Sequence, residues 1–176
     1  MVEVAIAEPG ELAAAQLEAA ESLVRAAFGP SFRSHDWLHA LDGVHVVLTA
    51  GDALLAFGAV VPRTLRHNGR ALDTGYVEAV AVRADQQGSG LGAVVMDHAE
   101  NVIRARHEVG ALNAVESATG FYARRGWTPW TGHTQAAGPA GVIDTYADAD
   151  RIYLLCPQPL DPGAALVCDW RPGDLW

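Results

Sequence analysis

The chain has 176 residues, half of them hydrophobic, which suits one domain over residues 1–176 around a single substantial core. Its 21 acidic residues against 12 basic ones leave a formal net charge of −9, which argues against a nucleic-acid partner or an anionic membrane surface. Charges interrupt every apolar stretch well short of the roughly 18 to 20 residues of a membrane span, and Met1-Val2-Glu3-Val4 lacks the basic and apolar regions of a signal peptide. A cytoplasmic location is expected. Cys156 and Cys168 have neither CxxC spacing nor histidines at metal-ligand spacing, so the sequence predicts two reduced thiols and no metal.

In chain order, residues 2–7 alternate like a strand, and Pro9-Gly10-Glu11 opens a helix that runs through Ala27 with acidic residues in its first turn. Phe28-Gly29-Pro30 ends it. A short helix covers residues 36–41, with Asp36 placed to act as its N-cap. Residues 44–49 and 53–61 read as two strands joined across Ala50-Gly51-Asp52. Asn68-Gly69 is a tight-turn signal leading to a core strand over 74–82. A short strand over 110–114, a short helix over 118–125 and a new strand from Gly126-Trp127-Thr128 follow. Residues 132–150, rich in Gly, Ala, Thr and Asp, read as a surface loop, and residues 151–156 and 165–168 as the closing strands.

The most telling stretch joins the core strand to a long helix through Gln87-Gly88-Ser89-Gly90-Leu91-Gly92. Glycines there let the backbone approach a ligand, and the helix that follows offers unpaired N–H groups and the positive end of its dipole. Such a turn is built for a phosphate. In the helix, Leu91, Val94, Val95, Ala99, Val102 and Ile103 recur on one face, while Asp97, Glu100, Arg104 and Arg106 fall elsewhere. Neither the GxGxxG dinucleotide spacing nor a Walker P-loop is present.

What does fit is Gln87-x-x-Gly90-x-Gly92, which resembles the Q/R-x-x-G-x-G/A pyrophosphate loop of the GCN5-related N-acetyltransferases. Four further segments resemble one branch of that superfamily, the aminoglycoside 2'-N-acetyltransferases of actinobacteria. They are Ser34-His35-Asp36-Trp37, Gly75-Tyr76-Val77-Glu78, the stretch from Leu112 through Phe121-Tyr122 to Trp130, and the closing Cys168-Asp169-Trp170-Arg171-Pro172-Gly173-Asp174-Leu175-Trp176. The resemblance implies an α/β (α+β) fold with a mixed, mostly antiparallel twisted sheet flanked by helices. It also implies acetyl-CoA as co-substrate and a homodimer.

On that resemblance, Val80, Ala81 and Val82 pair with the pantetheine arm, the Val80 N–H faces the thioester oxygen, and Gln87, Gly88, Ser89, Gly90, Leu91 and Gly92 hold the pyrophosphate. Asn113 adds a coenzyme contact. Glu78, two residues before Val80 and hence on its face of the strand, stands as general base toward the amine, with an ion pair to Arg63 or Arg66 as its plain structural alternative. Tyr122 would be the general acid, or else an aromatic packed beneath the coenzyme. The acidic residues Asp36, Glu78, Asp148 (with Asp150 as runner-up) and Asp174 resemble the lining that holds a cationic aminosugar. Trp37 and Trp176 would supply flat walls. Deletion of Asp174 to Trp176 is therefore expected to weaken acceptor binding and leave stability nearly unchanged.

The expected activity is transfer of acetyl to the 2'-amino group of an aminoglycoside by direct attack. A cellular aminosugar or polyamine-like metabolite as acceptor, or a protein that binds acyl-CoA or aminoglycoside without turnover, are the alternatives.

Overall fold

The structure, a computed structural model, describes residues 1–145 and 151–176. Its chain divides into two units, residues 1–61 with 77–102, and residues 62–76 with 103–176.

In the first unit, β1 (Glu3–Ala7) lies antiparallel on β2 (Val44–Ala50), and β2 lies antiparallel on β3 (Ala53–His67), with a bulge between Leu48 and Thr49. Helix α1 (Ala14–Phe28) begins later than its sequence suggests and has no acidic residue in its first turn. The reason is a turn. Gly10 sits at φ 83°, and Glu11 turns back so that its carboxylate accepts the Glu8 N–H at 2.8 Å. Gln16 instead caps the true start, accepting the Ala13 N–H at 2.9 Å. With α2 (Ser34–Leu41), α1 covers a core in which Val24, Trp37, Ala40, Phe57 and Ala81 meet. A Cβ added to Gly58 on β3 would stand 2.6 Å from Val95 of α3 (Leu91–Arg106). That absence of a side chain is what lets the helix lie against the strand. Five of the six helix residues expected on the apolar face are buried, while Glu100, expected outside, is buried too at 4% exposure.

The second unit begins with the hairpin of β3 and β4 (Arg70–Val82). Asn68 at φ 51° and Gly69 at φ 75° form the expected two-residue turn. Both strands extend further toward that turn than the apolar pattern indicates. Pro62, Thr64 and Arg66 alternate as exposed residues with buried Arg63, Leu65 and His67, so two polar side chains occupy inward positions and hide the period.

Strand β5 (Val109–Asn113) runs parallel to β4 from Thr74↔Val109 to Tyr76↔Ala111. The short helix α4 (Thr119–Arg124) leads to β6 (Thr128–Pro129), and β9 (Ile152–Leu155) lies antiparallel to both β5 and β6. On the other side, β10 (Leu166–Asp169) pairs antiparallel with β3 and parallel with β7 (Thr134–Gly138), which forms a hairpin with β8 (Gly141–Asp144). This hairpin corrects the reading of 132–150 as a loop. Its segment Thr-Gln-Ala-Ala-Gly carries little intrinsic strand preference, and it becomes a strand through main-chain pairing with β10 while Thr134 and Ala136 turn inward. Leu65, Leu72, Tyr76, Trp130, Ile152, Leu166 and Trp176 form the core.

The fold is thus mixed and mostly antiparallel with flanking helices, as expected. Among the described residues no helix is long and apolar enough to cross a membrane. Cys156 is half-buried and Cys168 buried, both as free thiols, and burial pushes Cys156 up to about 11.

Candidate active site

The end of β4 and the turn after it are shaped by unusual backbone angles and by short-range side-chain ties. Ala79 adopts φ 55° in mid-strand, a conformation that costs a non-glycine residue about 1–2 kcal/mol. The strand therefore does not alternate strictly there, and the argument that Glu78 and Val80 share a face does not carry across Ala79. Glu78 and Val80 are half-buried, Ala81 is buried and Val82 half-buried.

Arg83 then fixes the exit, its N–H donating to the Leu55 carbonyl at 2.8 Å. Its guanidinium grips Asp85 through two bonds of 2.6 and 3.0 Å. The pairing raises the Arg83 pKa and lowers that of Asp85. Gln87 folds back, its amide donating to the Val82 carbonyl at 3.4 Å, and the Ser89 N–H reaches Gln86 at 3.3 Å.

Gly88 and Gly90 have φ of 79° and 89°, and a Cβ built on either would meet nothing within 4 Å. The conformation demands glycine, and the space beside it is open. Gly92 differs. A Cβ there would make ordinary contact with Val82 at 3.6 Å, so the fold itself would accept alanine. Helix α3 starts at Leu91, with the Gly90 carbonyl accepting from Ala93 and Val94. The N–H groups of Leu91 and Gly92 come before the first of these bonds, so this turn presents donors, positive dipole and bare backbone together. Those features fit a pyrophosphate.

Asp36 is the third residue of α2 instead of its N-cap, because its carboxylate accepts the Arg33 N–H at 2.7 Å and the helix starts two residues earlier than expected. His35 Nε2 lies 3.1 Å from its other oxygen. Trp37 is only 7% exposed and packs on Phe57 with ring centroids 5.8 Å apart, so its indole serves the core and presents no open wall.

In the second unit, Tyr122 is packed among Phe121, Trp127 and Tyr153. Burial pushes its hydroxyl up to about 12, with Arg125 opposing, so it keeps its proton at any ordinary pH. Asn113 is the exposed last residue of β5, opposite Ile152.

The terminal segment is ordered against the core. Trp176 is buried at 7% exposure and its indole N–H donates to the Thr145 hydroxyl at 2.8 Å, which rules out the fraying tail and equally the open aromatic wall. Asp174 is exposed, and its carbonyl accepts from Arg171 Nε at 2.7 Å. Asp148 and Asp150 lie outside the described residues.

From the sequence, Arg63 stands only as a possible partner for Glu78. It is bound to Asp169, through Nε to the carboxylate at 2.8 Å and Nη2 to the carbonyl at 3.0 Å, and lies 4.8 Å from the centroid of the Tyr76 ring. Continuing the alternation of β3 past Val61 would have found it.

A family model described as the acetyltransferase (GNAT) family matches residues 13–127. An aminoglycoside 2'-N-acetyltransferase of Mycolicibacterium fortuitum is 44% identical over 164 residues, covering 90% of this chain and 84% of that protein. Among solved structures, a GNAT family N-acetyltransferase of Escherichia coli in complex with CoA matches 97% of this chain and 89% of its own, with a TM-score of 0.68 at 12% identity. A GNAT family acetyltransferase of Brucella melitensis in complex with acetyl-CoA matches 93% of this chain and 94% of its own, with a TM-score of 0.61 at 17% identity. At those identities the two structures speak for the fold alone.

Proposed function

Because the chain belongs to the acetyltransferase (GNAT) family, we propose that it transfers acetyl from acetyl-CoA to the 2'-amino group of aminoglycosides. The observation that carries the acceptor assignment is the similarity, along nearly the whole chain, to the mycolicibacterial aminoglycoside 2'-N-acetyltransferase. The open glycine turn at the start of α3 supports the coenzyme half of the reading.

In this reading Gln87 to Gly92 hold the pyrophosphate by backbone, with no side-chain contact from Gln87. Val80, Ala81 and Val82 offer their strand edge to the pantetheine arm; the β4–β5 ladder ends at Tyr76, before these residues. Asn113 adds a contact. Asp36, Glu78, Asp148 and Asp174 take up the cationic sugar, and Trp37 and Trp176 serve by holding the backbone that carries Asp36 and Asp174.

Glu78 takes a proton from the acceptor ammonium, directly or through water. The freed amine attacks the thioester carbon, a C–N bond forms, and the oxyanion is met by the Val80 N–H. The C–S bond then breaks and the thiolate needs a donor. Tyr122 is that donor, and its raised pKa defines how. A hydroxyl near 12 is a weaker acid than a thiol of about 8.5, so Tyr122 does not rest as tyrosinate: it gives its proton to the departing sulfur as it takes up the surplus proton that the attacking nitrogen sheds on becoming an amide. The protein acts as one domain, as a homodimer in the cytoplasm, and without a metal or an acyl-enzyme.

Mass spectrometry of a kanamycin-class drug with acetyl-CoA and the protein tests this. A single acetyl gain at the 2' nitrogen is expected. Glu78→Gln should cost on the order of a hundredfold in turnover at neutral pH and less at high pH, where more amine is already free. No acetylated drug, or acetylation at another amine, would overturn the reading.

A further inference from the structure

The segment that carries Asp174 also carries a cation, Arg171, for which a lining that attracts a cationic sugar has no electrostatic use. Its contacts suggest another task. The guanidinium carbon lies 5.5 Å from the centroid of the Tyr76 ring, and its Nε–H donates to the Asp174 carbonyl at 2.7 Å. The same ring carries Arg63 at 4.8 Å, whose side chain is 3% exposed and binds Asp169 at both its carboxylate and its carbonyl. One aromatic ring of β4 thus anchors both ends of the span from Asp169 to Asp174. Beyond that span, Trp176 is fastened to Thr145.

We propose that Arg171 is a positioning residue for the acceptor: by bridging the Tyr76 ring and the Asp174 backbone, it fixes where the Asp174 carboxylate stands to meet the cationic sugar. The inference rests on the reading of Asp174 as an acceptor ligand. The geometry suits it, since a guanidinium over an aromatic face is held in a defined plane and directs its Nε–H along one line, which a flexible ammonium does not. The span itself, Trp170-Arg171-Pro172-Gly173, contains Gly173 at φ 82° and has no regular structure of its own to set its path.

The sign of the effect is the test. If Arg171 acted by its charge, removing it would tighten binding of a polycation; if it acts by position, removing it weakens binding. Arg171→Met keeps the aliphatic stem and should raise the acceptor KM about tenfold, with kcat and the acetyl-CoA KM within about twofold of the parent. Asp174→Asn should raise the acceptor KM similarly, and the double variant should be no worse than either single one.

A lowered or unchanged acceptor KM in Arg171→Met, or additive losses in the double variant, would overturn the proposal while leaving Asp174 in place as a ligand. An unchanged KM in Asp174→Asn would instead strike the underlying reading, and this proposal with it. Should Arg171→Met fail to fold, Arg171→Lys keeps a cation over the ring without the planar Nε donor. A raised acceptor KM is expected there as well, and an unchanged one is fatal.

Discussion

The glycine turn proposed for the coenzyme and the terminal segment proposed for the acceptor are held in opposite ways. In the turn, Arg83 meets Asp85, Gln87 meets Val82 and Ser89 meets Gln86, all within a few residues, with the Arg83 N–H to Leu55 as a distant tie. In the terminal segment the ties reach from Asp169 to Arg63, from Arg171 to Tyr76 and from Trp176 to Thr145. A site made of local backbone can fail without the fold noticing. A site hung on distant side chains shares its integrity with the core.

The largest expected effect follows from that difference. Deleting Asp174 to Trp176 removes a buried tryptophan, and such losses cost about 3–5 kcal/mol. Thermal denaturation should therefore show a clear drop, contrary to what the sequence suggests for this tail, and unchanged melting would break the comparison. Within the first unit, Gly58→Ala should cost about 1–3 kcal/mol, because its Cβ would overlap Val95 and α3 would have to shift. Gly92→Ala should cost nothing measurable in the same experiment.

Gly90→Val sharpens the contrast from the other side. It should weaken acetyl-CoA binding tenfold or more by calorimetry, about 1.4 kcal/mol, through a β-branched residue at positive φ and a side chain where the phosphate would sit. Arg171→Met should leave that binding untouched.

The smallest effect is one of pH. His45 is buried with Nε2 against the Ala40 carbonyl at 2.9 Å, and burial lowers its pKa. Its neutral form is favoured in the folded state, so the unfolded chain binds more protons below the ordinary value of 6.5. Stability from this group is complete above that pH and is lost as pH falls toward the folded value. His45→Gln should flatten that slope in denaturant titrations.

The same contrast explains what could be read from the sequence. Glycine spacing reports backbone demands directly, so the positive-φ turn at Gly88 and Gly90 and the Asn68-Gly69 hairpin were legible in the sequence. Periodicity reports burial only while the inward positions are apolar. It stopped at Val61 because Arg63 and His67 point inward, and it passed over β7, whose small residues become a strand by pairing with β10. Aromatic residues were the least legible. Trp37 and Trp176 carry the same composition signal whether they face a sugar or a core, and only packing decides.

Ala79 has a consequence for engineering. Replacing it with glycine would relieve about 1–2 kcal/mol of strain, while the greater freedom of an unfolded glycine would take back about 0.4–1 kcal/mol. The net is about 0 to 1.6 kcal/mol in favour of glycine, so equilibrium stability does not call for alanine here. What differs is stiffness. Alanine has narrow wells on either side of the twist, whereas glycine can drift between them, so Ala79→Gly should melt no lower and yet loosen the peptide groups beside Val80. Selection on melting temperature alone would therefore lean toward glycine at a position where alanine holds the strand's twist.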